Sequence, residues 1–235
     1  MIPEMMAEIT LLTEKLNCSN LHKSKEHRRK YFSSCALRKG RVSMRKCSIV
    51  IGSFFGDEGK GHMTDILCNQ KNTLNVRFNG GAQASHTVVT PDGKRHAFRH
   101  FGAGSFSGAH TYLSQKFIVN PVAFVLERLD LIQKFELNPK VFVNPDCIVT
   151  TVWDMYINQC VETMRGDQRH GSCGFGINET VERSDLKTFK ITVKDFERPV
   201  ALRHKFERIQ TEYVKLRLKK EYGLTIEELP QEYRE

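Results

Sequence analysis

Residues 47–62, Cys-Ser-Ile-Val-Ile-Gly-Ser-Phe-Phe-Gly-Asp-Glu-Gly-Lys-Gly-His, constrain this chain more than any other stretch. The β-branched run Ser48 to Ile51 predicts a buried strand. It breaks at Gly52, and Gly56, Gly59 and Gly61 follow before Met63, Ile66 and Leu67 open a helical pattern with one apolar side. Strand, glycine-rich turn and helix together cradle a phosphate. The backbone comes close, its amides point inward, and the helix N-terminus adds partial positive charge. Lys60 adds a full charge in the same loop. A Walker A loop would carry Ser or Thr after Lys60-Gly61 and no acids, whereas this loop holds Asp57 and Glu58. A carboxylate among phosphate-binding amides repels the ligand unless it binds a metal or moves a proton.

At 235 residues, 40% hydrophobic and 27% charged, the composition is that of a globular protein with one sizeable core or two small ones. No apolar run reaches the roughly 20 residues that cross a bilayer, so no membrane partner is expected. Seven cysteines, at 18, 35, 47, 68, 147, 160 and 173, form no C-x-x-C pair and suit a reducing, cytoplasmic setting. The net charge of +9 is uneven: residues 1–46 hold eleven Lys/Arg against four Asp/Glu, a net +7, which leaves +2 for the rest. The basic character belongs to an N-terminal extension, residues 1–45, which argues against nucleic acid as a partner of the body. Met6, Ile9, Leu12 and Leu16 predict an amphipathic helix within 3–16, and 21–45 reads as a basic arm. Met44 stands just before the first predicted strand, so either Met1 or Met44 serves as a start.

A second strand, Leu74 to Phe78, leads into Asn79-Gly80-Gly81-Ala82-Gln83-Ala84-Ser85-His86-Thr87. Thr87–Thr90 and Lys94–Phe101 flank Pro91-Asp92-Gly93 as a hairpin. Strands are expected at 116–119, 140–143 and 147–149, and helices from Pro121, over 153–164, and around Leu202 to Leu216, ending near Gly223. A Gly/Ser loop spans 170–178. Strands alternating with helices predict an α/β fold with a largely parallel sheet. His96, His100, His110 and Cys68 match no zinc spacing, so structural roles are expected for them.

With these loops in view, the chain from about Lys46 onward resembles the adenylosuccinate synthetase family. That family opens on W-G-D-E-G-K-G-K, here Phe55 to His62; its Q-G-G-x-N-A-G-H-T segment is here Asn79 to Thr87; its G-T-T-G-R-G-I-G loop is here Gly171 to Asn178. The resemblance implies a P-loop-related α/β fold and condensation of IMP with aspartate, driven by GTP, in AMP biosynthesis. It implies Asp57 as general base and Mg²⁺ ligand, His86 as general acid, and Lys60 as the charge that offsets the transferring phosphoryl. GTP would lie along Gly56 to His62 and Ser85 to Thr87. The purine monophosphate would meet Asp57, Lys60, Gln83, Ala84, Ser85, His86, Ser172, Cys173 and Arg183, with Lys187 an alternative to Arg183. The Ser85 carbonyl would join Asp57 on Mg²⁺, and a homodimer is implied.

The residue types suit that chemistry on their own account. A 6-oxopurine is a poor electrophile until it is deprotonated and its oxygen phosphorylated. A carboxylate beside the ring nitrogen and an imidazole beside the phosphoryl meet those needs. Departures are also visible: His62 replaces lysine, Ser85 glycine, Gln83 asparagine and Cys173 threonine. They point to a divergent paralogue whose purine is IMP or another 6-oxopurine. One relative of this kind aminates dGMP, although that subgroup has serine where Asp57 stands here. The aspartate loop and the guanine-reading segment have no match, so a fragment or a shortened, inactive nucleotide binder are both expected alternatives.

Overall fold

A computed structural model describes residues 46–70 and 72–231. The amphipathic segment 3–16 and the basic arm 21–45 lie outside the described residues. The body, Ile49–Glu235, is built on a parallel sheet of β1 (Leu74–Gly80), β4 (His110–Phe117) and β5 (Val141–Val143), in the order β1-β4-β5. Two further strands, β2 (His86–Val89) and β3 (Arg95–Phe98), form an antiparallel hairpin in which His86 pairs with Phe98. The hairpin and the parallel sheet therefore match the sequence reading. The strand expected at 116–119 begins earlier, at His110, and 147–149 makes only single bridges, Ile148 to Thr192 and Val149 to Val119.

Helices fill the intervals, and their ends follow from local chemistry. Helix α1 covers Lys60–Cys68 and α2 Pro121–Phe135. Asn120 caps α2 by accepting from the Ala123 N–H at 3.0 Å, and Pro121 supplies a preset φ at the first turn. Helix α3, Val152–Met164, begins with a reciprocal capping box between Thr151 and Asp154. Helix α4, Ile177–Asp185, was not expected from the sequence, because its nine residues include few apolar ones. Helices α5 (Pro199–Arg208) and α6 (Val214–Tyr222) run on without a break through a π-helical turn, Ile209–Tyr213, so the continuous helix expected here is present with a π segment inside it.

The largest apolar cluster joins α3, α5, the π turn and α6 through Ile157, Cys160, Leu202, Ile209, Tyr213 and Leu218. A smaller one gathers Val88, Phe98, Phe101 and Leu131 beneath the hairpin. Burial of each such side chain contributes roughly 1.5–3 kcal/mol.

Two expectations about the glycine-rich region change. Ile49 to Ile51 pairs with no strand among the described residues, and Ile49 and Ile51 are about 80% exposed. Met63, Ile66 and Leu67 are likewise exposed, because α1 packs through its opposite side. There Gly61 and Cys68 are buried against β2 and the Ala103–Ser105 turn.

Candidate functional site

The turn that opens α1 seats directly on the strand that carries His86. A Cβ built on Gly61 would lie 2.6 Å from the Thr87 carbonyl oxygen and 3.1 Å from the His86 Cβ, so only glycine permits this approach. Gly61 and the adjoining Lys60 are therefore brought to His86, whose imidazole feels the Lys60 charge. Burial, with the charges of Arg77 and Lys60 adding to it, pushes the His86 imidazole down to about 4 and keeps it neutral. Neutral imidazole still has one N–H to give.

Asp57 is a non-glycine residue at φ 51, in the left-handed region that such residues seldom occupy. Its side chain is exposed and makes no hydrogen bond or ion pair among the described residues. Glu58 behaves differently: its carboxylate folds back to accept from the Phe54 N–H and from Lys60 Nζ, and these bonds hold its pKa below the ordinary carboxylate value. Lys60 is thereby engaged within the loop. Gly56, Gly59 and His62 are exposed, as are Gln83, Ala84, Ser85 and Thr87, while His86 is half-buried.

The donor set fits Mg²⁺. Asp57 offers a carboxylate with no partner among the described residues, and Ser85, itself an exposed residue, a backbone carbonyl; both are hard oxygens, and Mg²⁺ commonly takes one or two protein oxygens with the rest from phosphate and water. No group of three His, Cys, Asp or Glu that could hold a metal without such help occurs among the described residues.

Two arginines missed in the sequence hold the 79–87 turn. Arg77, buried on β1, donates to the Ala84 carbonyl at 2.9 Å and to the Phe98 carbonyl at 3.3 Å, and lies over the Phe117 ring. Burial pulls its guanidinium down to about 10. Arg99 donates to the Ala82 carbonyl at 2.7 Å. The only sequence signal for Arg77 was a basic residue between the apolar Val76 and Phe78; for Arg99 there was none.

The 171–178 loop packs against the same turn: a Cβ on Gly81 would meet Ile177 Cδ1 at 2.8 Å. Ser172 lies beside a cavity of about 390 Å³ between α3 and the loop. Its hydroxyl exchanges hydrogen bonds with Asn158 and its N–H donates to Glu162 at 3.1 Å. Cys173 is exposed with a free thiol.

Arg183 is the one predicted ligand residue that the structure removes from the site. It is fully buried in α4 and its donors are spent internally: Nε and Nη2 on Asp154 at 2.8 Å, Nη1 on the Phe189 carbonyl at 2.7 Å and Nη2 also on the Val149 carbonyl at 2.7 Å. Lys187 is exposed.

The adenylosuccinate synthetase family model matches residues 49–235. Adenylosuccinate synthetase of Thermoplasma acidophilum is 33% identical over 143 residues, covering 61% of this chain and 32% of the relative. That of Chlorobium chlorochromatii is 28% identical over 194 residues, covering 80% and 44%. The fully ligated adenylosuccinate synthetase of Plasmodium falciparum shares the fold, with a TM-score of 0.59 at 20% identity, over 71% of this chain and 39% of that one. The chain thus spans less than half the length of these relatives. With the family model matched along nearly all of the body, this chain belongs to the adenylosuccinate synthetase family.

Proposed function

We propose that this chain supplies the phosphate-loop and proton-transfer half of a GTP-dependent ligase that joins L-aspartate to IMP or a related 6-oxopurine monophosphate. The observation that carries the reading is the seating of Gly61 on His86 and Thr87, which draws the acid-bearing loop and the imidazole together. In this reading Asp57 removes the N1 proton of the purine, and the resulting 6-oxyanion attacks the γ-phosphorus of GTP. One P–O bond forms, another breaks, and GDP leaves. The His86 N–H donates a hydrogen bond to the phosphoryl as its charge develops. The aspartate amine then attacks C6 and inorganic phosphate departs. Lys60, released from Glu58, neutralises the phosphoryl oxygens. Asp57 and the Ser85 carbonyl would hold Mg²⁺, which offsets phosphate charge when bound. The 171–178 loop, with Ser172 and Cys173, takes the monophosphate.

The test mixes the full chain with GTP, Mg²⁺, IMP or GMP, and aspartate, and follows the absorbance of a 6-amino-substituted purine. Turnover is expected to fall by about 10²–10⁴ in Asp57→Asn or His86→Asn.

A second reading has a specific observation behind it: matched relatives are covered over only 31% to 44% of their length. In that reading the chain binds nucleotide without turning it over. Calorimetric binding of GTP or IMP with no product supports that reading. Neither binding nor turnover overturns both.

A further inference from the structure

We propose that Arg99 is a positioning residue that couples the turn carrying His86 to the 171–178 loop, so that a purine nucleotide's phosphate held by the loop fixes the imidazole. The nucleotide part of this inference rests on the function proposed above; the coupling itself rests on geometry.

Arg99 is anchored from below. Glu127, buried on α2, accepts from the Arg99 N–H at 2.8 Å and from the His100 N–H at 2.7 Å. The backbone is thus fixed without use of the side chain, which is free to reach outward. Its guanidinium does two things at once: Nη1 donates to the Ala82 carbonyl at 2.7 Å, and Cζ lies over the Phe175 ring, 5.1 Å from the centroid. Ala82 sits four residues before His86, and Phe175 sits two residues after Cys173. A planar guanidinium can donate in its plane while stacking through its face, which a lysine ammonium cannot do.

Arg77 does not duplicate this role. It holds the Ala84 carbonyl, but its other contacts, Phe98 and Phe117, lie in the hairpin and the sheet. Arg99 is the arginine that touches both loops.

The test follows amide hydrogen exchange of segments 79–87 and 169–178 in the ligand-free full chain. Wild type is compared with Arg99→Leu, Arg99→Lys, Phe175→Leu and the Arg99→Leu/Phe175→Leu double variant. The expected result is that Phe175→Leu speeds exchange in 79–87 as well as in its own loop, by about tenfold, and that the double variant is no faster than Arg99→Leu alone. Arg99→Lys should loosen 169–178 as Arg99→Leu does, because the stacking face is lost. Effects confined to the mutated loop, or effects that multiply in the double variant, overturn the coupling. Should Arg99→Leu fail to fold, Arg99→Lys and Phe175→Leu carry the same comparison.

A second arm adds IMP, then GMP. In wild type either nucleotide should slow exchange in both segments, whereas in Arg99→Leu it should slow only 169–178. Protection of both segments in Arg99→Leu overturns transmission through Arg99. If neither nucleotide protects wild type, the nucleotide reading falls, and the ligand-free comparison still decides whether Arg99 ties the two loops.

Discussion

Gly61 packs so tightly on His86 that a methyl group in place of its hydrogen would lie 3.1 Å from the His86 Cβ and 2.6 Å from the Thr87 carbonyl. The second of these contacts is backbone, on a strand paired to β3, so the clash cannot be relieved by a rotamer change. Gly61→Ala must push α1 off β2. It should cost about 1–3 kcal/mol by overpacking, read as a lower urea midpoint, and should weaken GTP binding, read by calorimetry. Unchanged stability would mean that the helix and the hairpin are not in contact.

Arg183 gives a sharp separation of ligand and structural roles. Its partner Asp154 is also fully buried, and accepts in addition from the Thr151 N–H at 2.7 Å. Arg183→Met leaves that carboxylate without its cation, and such losses cost about 3–5 kcal/mol. A residue that only gripped a phosphate would change binding and leave the unfolding midpoint in place. Urea unfolding of Arg183→Met should therefore show a large loss with or without nucleotide.

The contrast between Gly61 and Arg183 says what the sequence could reveal. The glycine-rich turn into α1, the hairpin and the alternation of strands with helices were legible because each is a local signal: glycine spacing, a Pro-Asp-Gly turn, apolar periodicity. Arg183 was misread because a basic residue on a polar helix looks the same whether it faces a ligand or a buried acid 29 positions away. Arg99 and Glu127 were invisible for the same reason, since 28 residues separate the Arg99 N–H from the carboxylate that anchors it. The apolar side of α1 was read correctly as a pattern but not as a burial. Which face a short helix hides depends on its neighbours.

Glu127 makes stability depend on acid pH. Burial alone would push its carboxyl up, but the imidazoles of His100 and His96 and the backbone N–H groups of His100 and Arg99 outweigh burial and hold it down at about 2. Both rings stand 3.6 Å from the carboxylate, beyond hydrogen-bond length, so the two N–H bonds at 2.7 and 2.8 Å are the firm ones. The folded value lies below the ordinary 4.5. Its contribution is therefore present above pH 4.5 and is lost as pH falls toward 2. Unfolding free energy measured between these limits should drop in wild type and drop less in Glu127→Gln.

Glu58 occupies two donors of the glycine-rich loop. Its carboxylate accepts from the Phe54 N–H and from Lys60, a backbone donor and a cation that an incoming phosphate would also seek. Even a Cβ on Gly52 would run into the Glu58 carboxylate, which shows how far the side chain folds into the turn. A ligand with two or three phosphates has to displace that carboxylate and overcome its charge. Glu58→Gln keeps the size of the side chain, removes the negative charge and weakens its hold on Lys60. Tripolyphosphate and GTP should then bind severalfold more tightly, with a steeper loss of affinity as salt rises, because the loop then carries more net positive charge for salt to screen. Calorimetric titration at two salt concentrations checks this. Weaker binding in Glu58→Gln would assign the carboxylate to the ligand-bound loop, as a support for Lys60 and not as its competitor.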